Sequence, residues 1–259
     1  RWIWNPKGWR AMRQGGNSSS RSRIAKALTV RVAGVAATLG LDVYLARTYG
    51  PEVYGIFATA LSLGAILAVT APWGWHHACV RFFQQHASEN RYDLSAGVLR
   101  AALLAVALGV GVTLALWLLG TALGDFEAPT ELAIQNAVII GGCLAFAEVA
   151  RSALRATGRE AAGESVRMLA TPVAAILAVS LFAPDGAEGV SWAYAACALC
   201  AAAAAGAAAI RQTGGASPTY AWRKWVPVAG GMAFMGVAGV AMQRVDVALV
   251  GILGGPEAA

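Results

Sequence analysis

Long uninterrupted apolar runs alternate along the chain with short stretches in which charge collects. Ala101–Ala122 carries no charged residue, whereas Arg151–Arg167 carries six. A transmembrane helix needs roughly 20 mostly apolar residues to cross the hydrocarbon core. On that template the runs predict about seven spans, at 27–47, 54–74, 97–120, 132–152, 166–183, 188–210 and 227–253. The fifth is the shortest, and Pro172 near its start predicts a kink. Ahead of the seventh, Ser217–Pro227 interleaves Tyr220, Trp222 and Trp225 with Arg223 and Lys224. Aromatic rings among basic residues suit the headgroup level of a membrane interface. The expected fold class is therefore an all-α polytopic membrane protein.

Composition agrees. Only 13% of the 259 residues are charged, against about a quarter in soluble domains. A hydrophobic fraction of 58% leaves too little polar surface to cover a water-soluble globule. The pI of about 9.5 could indicate a nucleic-acid partner, but the basic residues flank apolar spans, so none is expected. The chain opens on Arg1, and the basic segment 1–26 leads into a full-length span without a cleavage site, so no cleavable signal peptide is expected.

The loops test the span assignment. Seventeen of the 20 Lys and Arg fall before span 1 and around the connections 2–3, 4–5 and 6–7. The alternate connections and the C-terminal tail hold one, Arg47, together with Glu52, Asp125, Glu127, Glu131, Asp185, Glu188 and Glu257. Basic residues concentrate on the cytoplasmic side of inner-membrane proteins. The N-terminus is therefore expected in the cytoplasm and Ala259 outside, in a multi-pass inner-membrane protein.

The first and seventh spans share a pattern. Leu41-Asp42-Val43-Tyr44-Leu45 precedes Gly50-Pro51-Glu52, and Val245-Asp246-Val247-Ala248-Leu249 precedes Gly255-Pro256-Glu257. Six spans lie between the two copies, which gives them the same orientation. Parallel repeats of this kind build transporters of two lobes around a central cavity. The expected organisation is a basic cytoplasmic segment 1–26, a six-helix lobe 27–210, a cytoplasmic interfacial segment 211–226 and the first helix of a second lobe, 227–259. That second lobe is expected to continue beyond Ala259.

The stretch Leu28–Arg81, with Leu45-Ala46-Arg47-x-Tyr49-Gly50-Pro51-Glu52-x-Tyr54-Gly55-Ile56-Phe57-Ala58, resembles the opening of the polysaccharide-biosynthesis (O-antigen-type) flippases. These belong to the multidrug/oligosaccharidyl-lipid/polysaccharide exporter superfamily. Gly74 and Arg81 match the family's Gly-rich exit from the second span, and Arg244-Val245-Asp246 through Gly255 resembles its seventh. The resemblance implies two six-helix lobes and export of a polyprenyl-pyrophosphate-linked glycan from the inner to the outer leaflet. Membrane lipids and the missing C-terminal lobe would be partners, with energy from an H+ or Na+ gradient or from the substrate's own gradient, and no cofactor. The lipid II, sporulation-type and drug-exporting members share this architecture, and no residue here separates them.

Charges inside spans cost at least about 2.5–3.5 kcal/mol at the bilayer centre, so each needs a reason. Arg31 and Asp42 are eleven residues apart on span 1, about 20° off a whole number of turns and about 16 Å along the axis. They share a face, as candidates for lining a substrate cavity. Arg31 would then meet a pyrophosphate; alternatively it snorkels to the inner headgroups, five residues from Lys26. Arg244 and Asp246 are about 200° apart on their helix, so only one can face a common cavity. Asp246, the counterpart of Asp42, is the expected cavity residue, and a structural ion pair is the other reading. Glu148 stands one turn before Arg151, and an i,i+3 pair accounts for it without function. Gln135 and Asn136 are expected at the interface.

His76, His77 and His86 have no carboxylate at zinc-motif spacing, so no metal site is expected. Cys197 and Cys200 form an isolated Cys-x-x-Cys among alanines, which reads as small residues on a buried helix face. No nucleophile motif and no phosphate-binding glycine loop are present. An intramembrane glycosyl- or phosphotransferase would need clustered acids at one membrane face, and a multidrug or cation antiporter would share the fold. A retinal-binding seven-span protein would need a lysine in its seventh span. Lys7, Lys26 and Lys224 all lie outside the spans. The expected function is transport, not catalysis.

Overall fold

The computed structural model describes residues 17–124, 127–211 and 213–253; the side chains of 17–24, 27, 237 and 240–253 lie outside that description. Within it every regular element is a helix. In chain order these are α1 (Asn17–Thr70), α2 (Trp75–Ser88), α3 (Tyr92–Leu123), α4 (Ala128–Ala156) and α5 (Glu160–Ser165). A π-helical turn (Val166–Ala170) then leads to α6 (Thr171–Phe182), α7 (Gly186–Arg211) and α8 (Trp222–Leu253).

Five helical stretches among the described residues are long and apolar enough to cross a membrane: Leu28–Thr70, Tyr92–Leu123, Ala128–Ala156, Glu160–Phe182 and Gly186–Arg211. The first has 43 residues, about 65 Å at 1.5 Å each, twice the thickness of a hydrocarbon core. It is not one rod. Gly50 interrupts α1 with φ 84° and ψ 172°, a conformation essentially reserved for glycine. Pro51, which has no N–H to give, opens the next helical segment, where none is needed.

Side-chain contacts show that the chain reverses at Gly50. Before it, Arg31 lies beside Glu164, and Tyr44 reaches Ser180, sixteen residues farther along the neighbouring helix. After it, Ile56 packs with Ala133 and Ala187, while Gly64 meets Ala137 and Gly141 on α4. The 51–70 arm then reaches α2, where His76 and His77 lie within electrostatic reach of Glu148 and Arg151. One arm thus runs from the Arg31 end of the bundle to the Tyr44 end, and the other runs back. α8 starts beside α2, with Gly74 against Ala229 and Ala233, so it sets out from the Arg31 end as well.

Two apolar cores hold the helices. One joins α2, α3, α4 and the start of α8 through Phe82, Phe83, Val98, Val106, Val149 and Trp225. The other joins α1, α4, α6 and α7 through Leu41, Leu45, Phe57, Ile140, Val179 and Tyr194. The outer surface also carries many large apolar side chains. Leu104, Leu108, Leu116, Leu118, Leu119 and Leu123 on α3 are all exposed, as are Phe182 and Phe234. Contiguous apolar surface on this scale marks a membrane or a partner.

The expected boundaries moved in instructive ways. The connection between the second and third expected spans contains a helix, α2, which buries Trp75, Ala78, Cys79, Phe82, Phe83 and His86 and exposes Arg81, Gln84 and Gln85. That is a 3.6-residue stripe, invisible to a search for continuous apolar runs. The fifth span begins at Glu160, not 166, and its irregularity is a π turn immediately before Pro172. Pro172 has no N–H for the Met168 carbonyl, and its ring would clash there in a regular helix. Widening the turn relieves this, and Thr171 Oγ1 donates to the Val166 carbonyl five residues back at 2.9 Å. Asn136 is fully buried at the start of α4.

Candidate functional site

At the Arg31 end, four arginines and two glutamates converge from four elements. Glu148, 1% exposed on α4, uses both carboxylate oxygens. Arg151, three residues on, donates from Nε at 2.9 Å and from Nη2 at 2.6 Å to Oε2. Arg167 in the π turn donates from Nη1 to Oε1. Arg151 also bridges onward, donating from Nη1 to Glu164 Oε1 on α5 at 3.1 Å. Two further guanidinium groups stand near that same oxygen, Arg31 Nη2 at 3.6 Å and Arg155 Nη1 at 3.9 Å. The second oxygen, Glu164 Oε2, is buried without a hydrogen-bond partner.

Local structure explains the convergence. On α4, residues 148, 151 and 155 are three and four apart and share one face. The chain turns at Gly158 and returns as α5, which brings Glu164 alongside. The π turn then places Arg167 over the Glu148 carboxylate. α1 presses against this turn: a Cβ on Gly34 would stand 2.6 Å from the Met168 carbonyl oxygen, so only glycine lets the backbones come so close. Arg31 lies one turn before that contact.

The electrostatics divide the cluster into an inner and an outer part. Glu148 is enclosed and doubly paired. A buried charge is tolerated only when its partner and its hydrogen bonds are both in place. Glu164 is equally buried, but two of its cations are open to the surroundings: the side chains of Arg31 and Arg155 are 60% and 39% exposed. Two carboxylates against four guanidinium groups leave an excess of positive charge on that outer side. His76, 3% exposed on α2, faces the cluster, with its ring 4.0 Å from that of His77. Burial lowers its pKa to about 4, His77 and the arginines add to this, and Glu148 opposes it. It is therefore neutral at pH 7.

Of the residues expected from sequence, Arg31 joins this cluster. Asp42 is half-buried toward the other end of the bundle, within electrostatic reach of Tyr54. Arg31 and Asp42 thus act on different neighbours. Arg244 and Asp246 belong to α8, but their side chains lie outside the described residues. The Glu148–Arg151 pair forms as the spacing indicates, within a larger network than the spacing reveals. Glu164 and Arg167 carried no signal of their own, since their partners are 13 and 19 residues away. Cys197 is half-buried and Cys200 exposed, both as free thiols. Burial pushes the Cys79 thiol on α2 up to about 12, which makes it inert.

No protein-family model, no curated protein and no solved structure matches the chain.

Proposed function

We propose that the chain forms the first lobe of a flippase that moves a lipid-linked oligosaccharide or polysaccharide precursor from the inner to the outer leaflet by alternating access. In this reading α1 contributes two spans, α3, α4, Glu160–Phe182 and α7 contribute four more, and α8 opens the second lobe. The Arg31 end is cytoplasmic. The observation that carries the reading is the hairpin at Gly50. The residues of the family-like motif, Leu45 to Ala58, build the reversal, with glycine where the backbone demands it and proline where the new helix starts.

The task of such a protein is to shield a charged headgroup from hydrocarbon while the lipid tail stays in the bilayer. Arg31 is suited to the first contact. Its guanidinium stays charged in any surroundings and can grip phosphate oxygens with two parallel N–H groups. Its pairing to Glu164 at 3.6 Å is looser than the Arg151 bonds, so an arriving pyrophosphate can replace that partner. Asp42, on the opposite side of mid-span, repels the anion towards release or takes up the coupling cation.

Complementation of a flippase-deficient strain tests this. Arg31→Ala is expected to abolish surface polysaccharide at normal membrane abundance, and Arg31→Lys to restore part of it. Normal polysaccharide with Arg31→Ala at wild-type abundance would refute the assignment.

A further inference from the structure

We infer that the crevice between the first arm of α1 and α5 is a binding site for an anionic phospholipid of the inner leaflet, held there as a resident ligand and not transported. The inference rests on the membrane orientation proposed above but not on the transported substrate. The crevice is open, about 470 Å³ in volume, and is lined by Ala25, Lys26, Thr29 and Val30 of α1 and by Ala161 of α5. It adjoins the charge cluster through α5, where Ala161 is one turn before Glu164; on α1, Arg31 stands about 100° or more round the helix from the lining residues.

Three features match one class of ligand. Among the described residues the lining is mostly apolar with Lys26 as its charged residue, which suits the glycerol and first acyl carbons of a lipid beside its phosphate. Next to it the cluster carries surplus positive charge, four arginines against two glutamates, with Arg31 the most exposed of the three residues whose cations face Glu164 Oε1. Among the described residues no acidic side chain lines the crevice, and of its flanking neighbours Arg159 and Glu160 cancel. Finally, the site stands at the end of the bundle that faces the anionic leaflet. Basic pockets between helices at this level bind lipid headgroups, at about 1 kcal/mol per Lys or Arg.

The occupant also has a structural use. A phosphate beside Lys26 would offset the excess cations and add a polar bridge between α1 and α5, beside their packing and the loose Arg31–Glu164 pair. Binding confined to the folded state stabilises it by RT ln(1 + L/Kd), which grows with the ligand concentration L.

The test uses the full chain purified in mild detergent, with native mass spectrometry and thermal unfolding read in parallel. Phosphatidylglycerol and phosphatidylcholine of identical acyl chains are the probes. Phosphatidylglycerol is expected to bind at least about tenfold more tightly and to raise the melting temperature. Lys26→Gln is expected to weaken it about fivefold, the equivalent of one lost basic contact. Ala161→Leu, which fills the crevice without changing charge, is expected to weaken it comparably. Arg100→Gln removes an exposed cation elsewhere and is expected to leave binding within about twofold. Equal affinity for the two lipids overturns the site, as does loss of binding with Arg100→Gln to the same degree as with Lys26→Gln. Displacement of phosphatidylglycerol by millimolar inorganic pyrophosphate would show a site for free phosphate groups and overturn the lipid assignment. Specific lipid binding by a protein that fails to export would leave this site standing and remove only the transport reading.

Discussion

At the residue scale, Glu148 is where the fold has most at stake. Its carboxylate is enclosed, and its removal strands Arg167 and leaves Arg151 only its bond to Glu164. Breaking a buried ion pair from one side costs about 3–5 kcal/mol, because the partner's charge stays buried and uncompensated. Glu148→Ala is expected to lose that much, read as denaturant or thermal unfolding of the purified protein. Glu148→Gln, which keeps the shape and one acceptor, should lose less. Equal stability of wild type and Glu148→Ala would show that the network contributes nothing. His76 gives a second prediction. Its folded pKa of about 4 lies below the unfolded value of 6.5, so the unfolded chain binds the extra proton between these values. Stability is then full above pH 6.5 and falls as pH drops towards 4, by at most about 3.5 kcal/mol at about 1.4 per unit. His76→Gln is expected to flatten the melting temperature across that window. Sequence spacing revealed the Glu148–Arg151 pair, since i,i+3 neighbours follow from helix geometry alone. It could not reveal Glu164 or Arg167, whose approach depends on the turn at Gly158 and on the π turn before Pro172.

At the scale of elements, the hairpin in α1 depends on one backbone conformation. A Cβ on Gly50 would meet nothing within 4 Å, so any cost of substitution there is conformational. Gly50→Ala is expected to destabilise by about 1–3 kcal/mol. Gly40→Ala, with equally open space but helical geometry, is expected to be neutral or to stabilise by up to about 1 kcal/mol. Thermal unfolding of the two variants side by side checks this. Equal effects would mean that Gly50 does not need its positive φ. Long apolar runs made α3, α4 and α7 legible to within about five residues, because hydropathy over 20 residues is a strong signal. α2 was missed because its apolar residues are striped rather than continuous. Its stripe of Trp75, Phe82, Phe83 and His86 could have been found by testing that loop for a 3.6-residue period.

For the whole molecule, the distribution of charge and the packing of helices point the same way by independent routes. The alternating loops put the basic residues on one side from sequence alone. The contacts bring Arg31, Arg151, Arg155 and Arg167 to one end of the bundle and the Tyr44–Ser180 contact towards the other. Apolar surface covers the flanks between, most of all along α3. The relation between Asp42 and Asp246, and with it the repeat that suggested two lobes, was legible as a pattern but involves side chains outside the described residues. The central claim is that the cluster sits at the cytoplasmic end of a membrane-spanning bundle. Reporter fusions in the native membrane test it most directly. Fusions after His86 and after Arg159 are expected to report the cytoplasm, and fusions after Gly124 and after Pro184 the exterior. Two of these four reporting the opposite side would contradict the account.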